Sequence, residues 1–392
     1  MRGFEPSEEI RALRKSVRRF VDEEVLPVEA VALEPDEIGL LHDLMARAKR
    51  AGLWAMGHPS DLGGGGLDFL DYAHVNEVIG RSAPAAAALG THTLQDALML
   101  QRFATDEQRR RWLDPLVAGE IFIGMAMTEP EVAGSDPKTM RASAVRDGDG
   151  WELRAHKWFV SWADRADVVT VLAKTDPTAE LHRQYSAFLV PTDAPGYQLE
   201  RLIPMIGAPT STYGEIRLDQ VRLPAGSMLG ARGEGFTIAQ TRLGPARIFD
   251  CMRWLGQAER AFELMCAWAN ERYAHGSLLG EKGEVQRYIA ESVAQIHASR
   301  LMTLDAARVL DDGGEARVEI SLLKFVAARM LSDVVDRAIQ VHGAAGLSSD
   351  LPLERMLRDA RAARLYDGPD EVHRMVVARS LLQDVEANAP WR

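Results

Sequence analysis

Apolar residues recur at helical spacing through the first part of the chain, then at strand spacing, then at helical spacing again. Ser7-Glu8-Glu9 supplies an N-cap and two acids for a first turn. Ile10, Leu13, Val17, Phe20 and Val21 follow on one helical face. The run Gly63 to Gly66 breaks the pattern, and Tyr72, Val75, Asn76, Val78 and Ile79 resume it. Thr105-Asp106-Glu107-Gln108 opens a further helix, with Thr or Asp as its cap. From Ile121 to about Gly230 short β-rich runs alternate with turn residues. The clearest are Trp151 to Lys157, Asp167 to Ala173, Ser186 to Pro191 and Tyr213 to Leu218, and Asp147-Gly148-Asp149-Gly150 reads as a hairpin turn. Beyond Phe236 the helical period returns in Ala258, Phe262, Met265 and Trp268, and again in Ile320, Leu323, Val326, Ala327, Met330, Leu331 and Val334. The pattern predicts an α+β protein, mainly α. Its expected parts are a helical domain over 1–121, a central β-barrel or sandwich over 122–231, and a C-terminal bundle of several long antiparallel helices over 232–392.

Composition narrows the function classes. A chain of 392 residues exceeds one simple core. Forty-six Lys and Arg stand against 57 Asp and Glu, for a net charge of -11, which argues against nucleic-acid binding. Cys251 and Cys266 lie fifteen residues apart in one helical pattern, too far along a rod to bridge. No disulfide framework is expected, which favours a reducing, intracellular, cytoplasmic setting. The N-terminus lacks an apolar signal core, and runs such as Ala83 to Leu89 are far too short to span a membrane. His42, His58, His74 and His92 are scattered without metal-ligand spacing, so no metal is expected. Arg109 to Arg111 reads as a solvated helix face. Gly63 to Gly66 is not a phosphate loop, because no Lys-Ser/Thr follows it.

Four segments carry the chemistry. In Gln340-Val-His-Gly-Ala-Ala-Gly346, small residues after a helical pattern let backbone approach a large anionic ligand. Tyr366-Asp-Gly-Pro-Asp-Glu371 presents one acid before a helical run, although Asp-Gly-Pro is also ordinary turn chemistry. Ala126-Met-Thr-Glu-Pro-Glu-Val-Ala-Gly-Ser-Asp136 offers hydroxyls and a tight turn, and equally reads as a capped turn. In Lys157-Trp-Phe-Val-Ser161, an aromatic and a hydroxyl two apart share one strand face. They suit a flat ring with a polar edge, or a core aromatic.

These segments, with Arg272-x-x-His275-Gly, occur in an order and at separations that resemble the acyl-CoA dehydrogenase family across essentially the whole chain. The resemblance implies an acyl-CoA dehydrogenase-like fold, with the C-terminal part a four-helix bundle, and FAD as cofactor. Met127 and Thr128 would bind it. Ser135 would lie where flavin and thioester substrate meet, and Phe159 and Ser161 would pack on the ring and bond its edge. Arg272, His275, Gln340, Gly343 and Ala344 would hold the diphosphate and adenosine of a neighbouring subunit's FAD. Pro369 and Glu371 would also touch FAD, while Arg247, Gly368 and Arg379 would meet substrate. Asp367 would be the catalytic base that takes the α-proton of an acyl-CoA, its pKa raised by burial beside the acyl chain. The β-hydrogen would leave as hydride to the flavin. A homodimer or homotetramer, and an electron-transfer flavoprotein as acceptor, complete the implied picture.

Several positions depart from the family pattern. The common Glu is Asp367, the usual Thr is Pro369, and Phe159 stands for Trp. His275 stands for Phe, Ala344 stands for Gly, and one residue is added between Pro130 and Gly134. The runs Tyr366 to His373 and Arg242 to Arg247 resemble a subgroup that in animals is joined to a kinase-like domain. That subgroup is associated with long, branched or 4-hydroxylated acyl chains. Two rival functions remain at this point: an acyl-CoA oxidase, and a non-catalytic flavin- or CoA-binding scaffold.

Overall fold

The computed structural model describes residues 4–208 and 211–386. The N-terminal helices are α1 (Glu8–Phe20), α2 (Ile38–Arg50), α3 (Phe69–Ile79), α4 (Ala83–Ala88), α5 (Leu94–Phe103), α6 (Asp106–Gln108) and α7 (Asp114–Ala118). Strands β1 (Ile123–Ala126), β2 (Ser143–Asp147), β3 (Gly150–Val160), β4 (Val168–Lys174), β5 (Tyr185–Pro191), β6 (Tyr197–Leu202), β7 (Gly214–Leu223) and β8 (Met228–Leu229) follow. Helix α8 (Gly235–Glu271) leads to the small hairpin β9 (Tyr273–Ala274) and β10 (Ser277–Leu278). Four helices end the chain: α9 (Gly283–Asp311), α10 (Arg317–His342), α11 (Leu353–Ala363) and α12 (Asp370–Glu386). The described residues form two compact units. The first draws on Met1–Pro27, Leu67–Ala86 and Ala246–Arg392, the second on Val28–Gly66 and Ala87–Pro245.

The first unit is helical. Ser7 caps α1 by accepting the Ile10 N–H at 3.2 Å. Asp311, at the end of α9, accepts the Phe69 and Leu70 amides at 2.8 Å each and so satisfies the start of α3. Buried charges are paired: Arg81 with Glu263 at 2.6 Å, and Arg300 with Glu77 at 3.0 Å. Helices α3 and α8 meet through glycines. A Cβ on Gly256 would lie 1.9 Å from the Glu77 carbonyl oxygen, and one on Gly80 would lie 2.3 Å from the Arg253 Cα. Only hydrogen fits there. Gly256→Ala should therefore cost about 3 kcal/mol, the upper end of overpacking penalties. Denaturant unfolding reads this directly, and an unchanged midpoint would show that the two helices can part freely.

The second unit is built on one mixed sheet of eight strands. Its pairing order is β6-β7-β3-β2-β4-β5-β8, with β1 parallel to β4. The turn expected at Asp147 to Gly150 closes the antiparallel β2–β3 pair, with Gly148 at φ 57°. Strands β4 and β5 are buried along almost their whole length, as their continuous apolar runs dictate. Trp151, Leu153, Val169, Val171, Phe188, Val190, Ile216 and Val221 form its principal core. Leu100, Leu113, Leu116 and Ile238 bury a further face with Ile123, Val168 and Leu189. Thr105 and Gln108 form a reciprocal capping box. The expected solvated Arg109 to Arg111 face needs correction at one position. Arg110 and Arg111 are exposed, but Arg109 is half-buried and donates to the Gln101 carbonyl. Three consecutive residues fan around the π-helical turn Arg109–Leu113, so a run of charge does not share one outward face.

Candidate active site

The flavin-type signature lies in the second unit, where β1 ends. Lys157 on β3 is completely buried, and its ammonium donates to the Met127 carbonyl and to the Glu129 carboxylate, each at 2.8 Å. Glu129, itself buried, also accepts the Ala142 amide at 2.9 Å and the Arg141 amide. Burial pulls Lys157 down to about 8, and Glu129 opposes the shift. The Trp158 amide donates to the Thr128 carbonyl at 3.1 Å. The backbone of Met127 and Thr128 is thus tied down from behind, while both side chains stay half-buried. A Cβ on Gly134 would lie 2.8 Å from Thr128 Cγ2, so the Ala-Gly turn folds back onto that threonine. Ser135 is exposed beside it.

Phe159 and Ser161 sit at the end of β3, but plain strand alternation does not place them. Between Lys157 and Val160 the pairing with β7 slips, and Phe159 has φ 52°. This bulge corrects the expectation that pleating alone puts the pair on one face. It leaves the Phe159 ring 43% exposed and edge-on to Trp158 at 5.1 Å. Ser161 Oγ accepts the Met125 amide at 3.3 Å. The Trp158 indole N–H is buried and has no hydrogen-bond partner among the described residues. An exposed ring, two half-buried hydroxyls and an orphan donor suit a flat heteroaromatic group with polar edges.

The first unit holds the acid. Arg364 to Pro369 joins α11 to α12, with Asp367 at φ 53° and Gly368 at φ 101°. Every carbonyl from Tyr366 to Gly368 is gripped. Arg247 Nε donates to the Asp367 carbonyl at 2.8 Å, and His373 Nε2 donates to it at 3.1 Å. Lys324 Nζ donates to the carbonyls of Ala363, Tyr366 and Gly368 at 2.8, 2.9 and 3.3 Å. The Trp254 indole N–H donates to the Tyr366 hydroxyl at 3.0 Å. Among the described residues no hydrogen bond or ion pair engages the Asp367 carboxylate, which is half-buried. Burial, then the nearby Arg247 charge, holds the His373 imidazole down to about 4 from an ordinary 6.5. The unfolded chain takes up that proton below about 6.5 and the folded protein only near about 4, so this group removes stability as pH falls through that window. His373→Gln should lose stability less steeply there than the parent protein in denaturant titrations. Parallel losses would trace the acid sensitivity to other groups.

The remaining expected residues lie on the surface of the first unit. Arg272 is exposed, with its guanidinium over Trp268 at 5.4 Å, and Trp268 stacks on His342 at 5.0 Å. His275, at φ 50° in the β9–β10 turn, is exposed, as are Gln340, Gly343 and Ala344 at the end of α10. Pro369 is half-buried, Glu371 pairs with Arg374 at 3.6 Å, and Arg379 is exposed on α12. Of the expected substrate residues, Arg247 is bonded to the acid's own turn. Sequence reasoning missed Lys324 and His373. A signal for Lys324 was present: it interrupts the apolar stripe between Ile320 and Ala327.

The acyl-CoA dehydrogenase N-terminal, middle and C-terminal domains match residues 7–120, 124–221 and 233–382. A probable acyl-CoA dehydrogenase, FadE2 of Mycobacterium tuberculosis, is 42% identical over 88% of this chain and 86% of its own length. Mouse acyl-CoA dehydrogenase family member 10 is 39% identical over 97% of this chain, which spans only 37% of that protein. The human family member 11 is 37% identical, and the chain spans half its length. Among solved structures, a putative acyl-CoA dehydrogenase of Mycobacterium abscessus superposes with TM-score 0.92 at 39% identity, covering 97% of this chain and 100% of that one. A glutaryl-CoA dehydrogenase of Mycobacterium smegmatis, solved with FADH2, gives 0.84 at 25% identity, covering 98% of this chain and 96% of that one. This chain belongs to the acyl-CoA dehydrogenase family.

Proposed function

We propose that the protein is an FAD-dependent acyl-CoA dehydrogenase with Asp367 as its base. The observation that carries this reading is a carboxylate with no hydrogen-bond partner among the described residues, on a turn whose carbonyls are all held. A general base must be fixed in place yet left with its own oxygens uncommitted. Asp367 takes the proton from the carbon next to the thioester carbonyl. The α,β double bond forms as the β-hydrogen departs with its electron pair. The flavin, when bound, supplies the acceptor for that hydride. Met127, Thr128, Phe159 and Ser161 would hold the ring, and Ser135 would lie where the ring and the substrate's thioester meet. Arg247 keeps the base's backbone fixed, and Gly368 lets substrate approach closely.

Arg272, His275, Gln340, Gly343 and Ala344, all exposed, serve the FAD diphosphate and adenosine of a second copy, which makes the active form a homodimer or a tetramer of dimers. Pro369 and Glu371 border the cofactor, and Arg379 meets the substrate. Electrons pass on to an electron-transfer flavoprotein. The likeness to family members 10 and 11 favours a long, branched or 4-oxygenated acyl chain.

The test is anaerobic. The purified yellow protein is mixed with butyryl-, octanoyl-, palmitoyl-, isobutyryl- and 4-hydroxyacyl-CoA, and the flavin absorbance is followed. Bleaching by at least one thioester is expected, and the fastest defines the substrate class. No bleaching by any of them would overturn the reading in favour of a scaffold protein. Rapid reoxidation of the bleached enzyme by air would make it an oxidase.

A further inference from the structure

We propose that Lys324 is a positioning residue for the base: its buried ammonium gathers the carbonyls on either side of Asp367 and thereby sets the direction of the carboxylate. The inference rests on the reading of Asp367 as base. Lys324 lies on α10 and is 0% exposed. An ammonium has three N–H donors and no acceptor. The three carbonyls of Ala363, Tyr366 and Gly368, at 2.8, 2.9 and 3.3 Å, use all of them.

The arrangement has a specific geometric effect. The Tyr366 carbonyl belongs to the peptide plane before Asp367, and the Asp367 carbonyl belongs to the plane after it. Lys324 holds the first plane, while Arg247 and His373 hold the second. Two fixed planes define φ and ψ at Asp367, and with them the Cα–Cβ direction. The backbone there is left-handed, at φ 53°, a state that a free turn would leave readily.

Helix packing alone does not account for this lysine. Its neighbours on the helix face are the buried apolar Ile320, Ala327 and Ala328 and the small Ser321, also buried, none of them charged. A methionine would fill a similar volume without burying a charge, which is costly in such surroundings. The Trp254 and Tyr366 rings flank the ammonium at 5.0 and 5.4 Å and make its burial tolerable. Burial also lowers its proton affinity. What the charge does there is organise the turn.

The experiment compares Lys324→Met, Lys324→Gln and Asp367→Asn with the parent holoenzyme. The probe is the thioester from the panel above that bleaches the parent flavin fastest, unlabelled and deuterated at its α-carbon. Three quantities are read: flavin content, the dissociation constant for the thioester, and the anaerobic rate of flavin reduction. Lys324→Met should keep its flavin and bind the thioester within about threefold of the parent. Its reduction rate should fall about 100-fold, the loss expected when a reacting group shifts by about 1 Å. The α-deuterium isotope effect should grow, because proton removal becomes the slower event. Lys324→Gln, which keeps two N–H donors, should fall less. A purely structural role would weaken binding or flavin retention and leave the isotope effect unchanged, and that result overturns the proposal. So does a Lys324→Met rate within about threefold of the parent. If the Met variant does not fold, the Gln variant carries the test, and a parent-like rate and isotope effect in it overturn the proposal. An inactive Asp367→Asn beside a fully active Lys324→Met sinks the positioning role alone. A fully active Asp367→Asn sinks the base assignment and this inference together.

Discussion

Asp367→Asn should give a folded, yellow protein whose flavin is reduced by acyl-CoA about 10²- to 10⁴-fold more slowly than in the parent, the range that a positioned general base contributes. Asn has the size and shape of Asp and is at least as comfortable at positive φ, so the turn at φ 53° is kept. The clamps from Arg247, His373 and Lys324 act on backbone carbonyls and survive the change. Only the basic oxygens are lost. Substrate binding should therefore change little while the reduction rate collapses. Anaerobic rapid mixing separates the two, and a parent-like rate would remove Asp367 from the mechanism.

The second large effect is expected at the buried Lys157–Glu129 pair. Lys157→Met would leave the Glu129 carboxylate, 1% exposed, without its cation. Breaking a buried pair from one side typically costs about 3–5 kcal/mol. The amides of Arg141 and Ala142 still reach Glu129, which favours the lower end, about 3 kcal/mol. The Met127 carbonyl also loses its donor, so the segment proposed to hold the flavin should loosen. Reduced denaturant stability and reduced flavin content should appear together. The double variant with Glu129→Gln should recover much of the stability, because no uncompensated charge then remains. A single variant as stable as the parent would show that water or another cation reaches Glu129.

Much of the architecture was legible because its signals are local. The Ser7 cap, the Thr105–Gln108 box and the Asp147 to Gly150 hairpin each depend on residues within one turn. Cys251 and Cys266 do share one long helix and remain free, as their spacing required. Residues of the candidate site were legible where they are contiguous, as in Met127-Thr128 or Tyr366-Asp367-Gly368. The grips on those segments were not. Lys324 and His373 act on carbonyl oxygens, and a carbonyl has no side-chain signature in sequence. The bulge at Phe159 depends on the register of β7, more than fifty residues further on, and no pattern within β3 announces it. Arg109 was misread because a run of charge does not say which of three consecutive helical residues turns inward.

The positive φ at residue 367 has a consequence for how this position can drift over generations. Of the two acids, Asp enters that backbone state with less strain, because its short side chain can bond locally. Glu brings greater reach but fits that conformation less well. Exchanging one for the other therefore alters the main chain and the length of the arm at once. A lineage that changes acid here has to remodel the grip beneath the turn in the same stroke, so the identity of the acid becomes a heritable mark of how the loop is held.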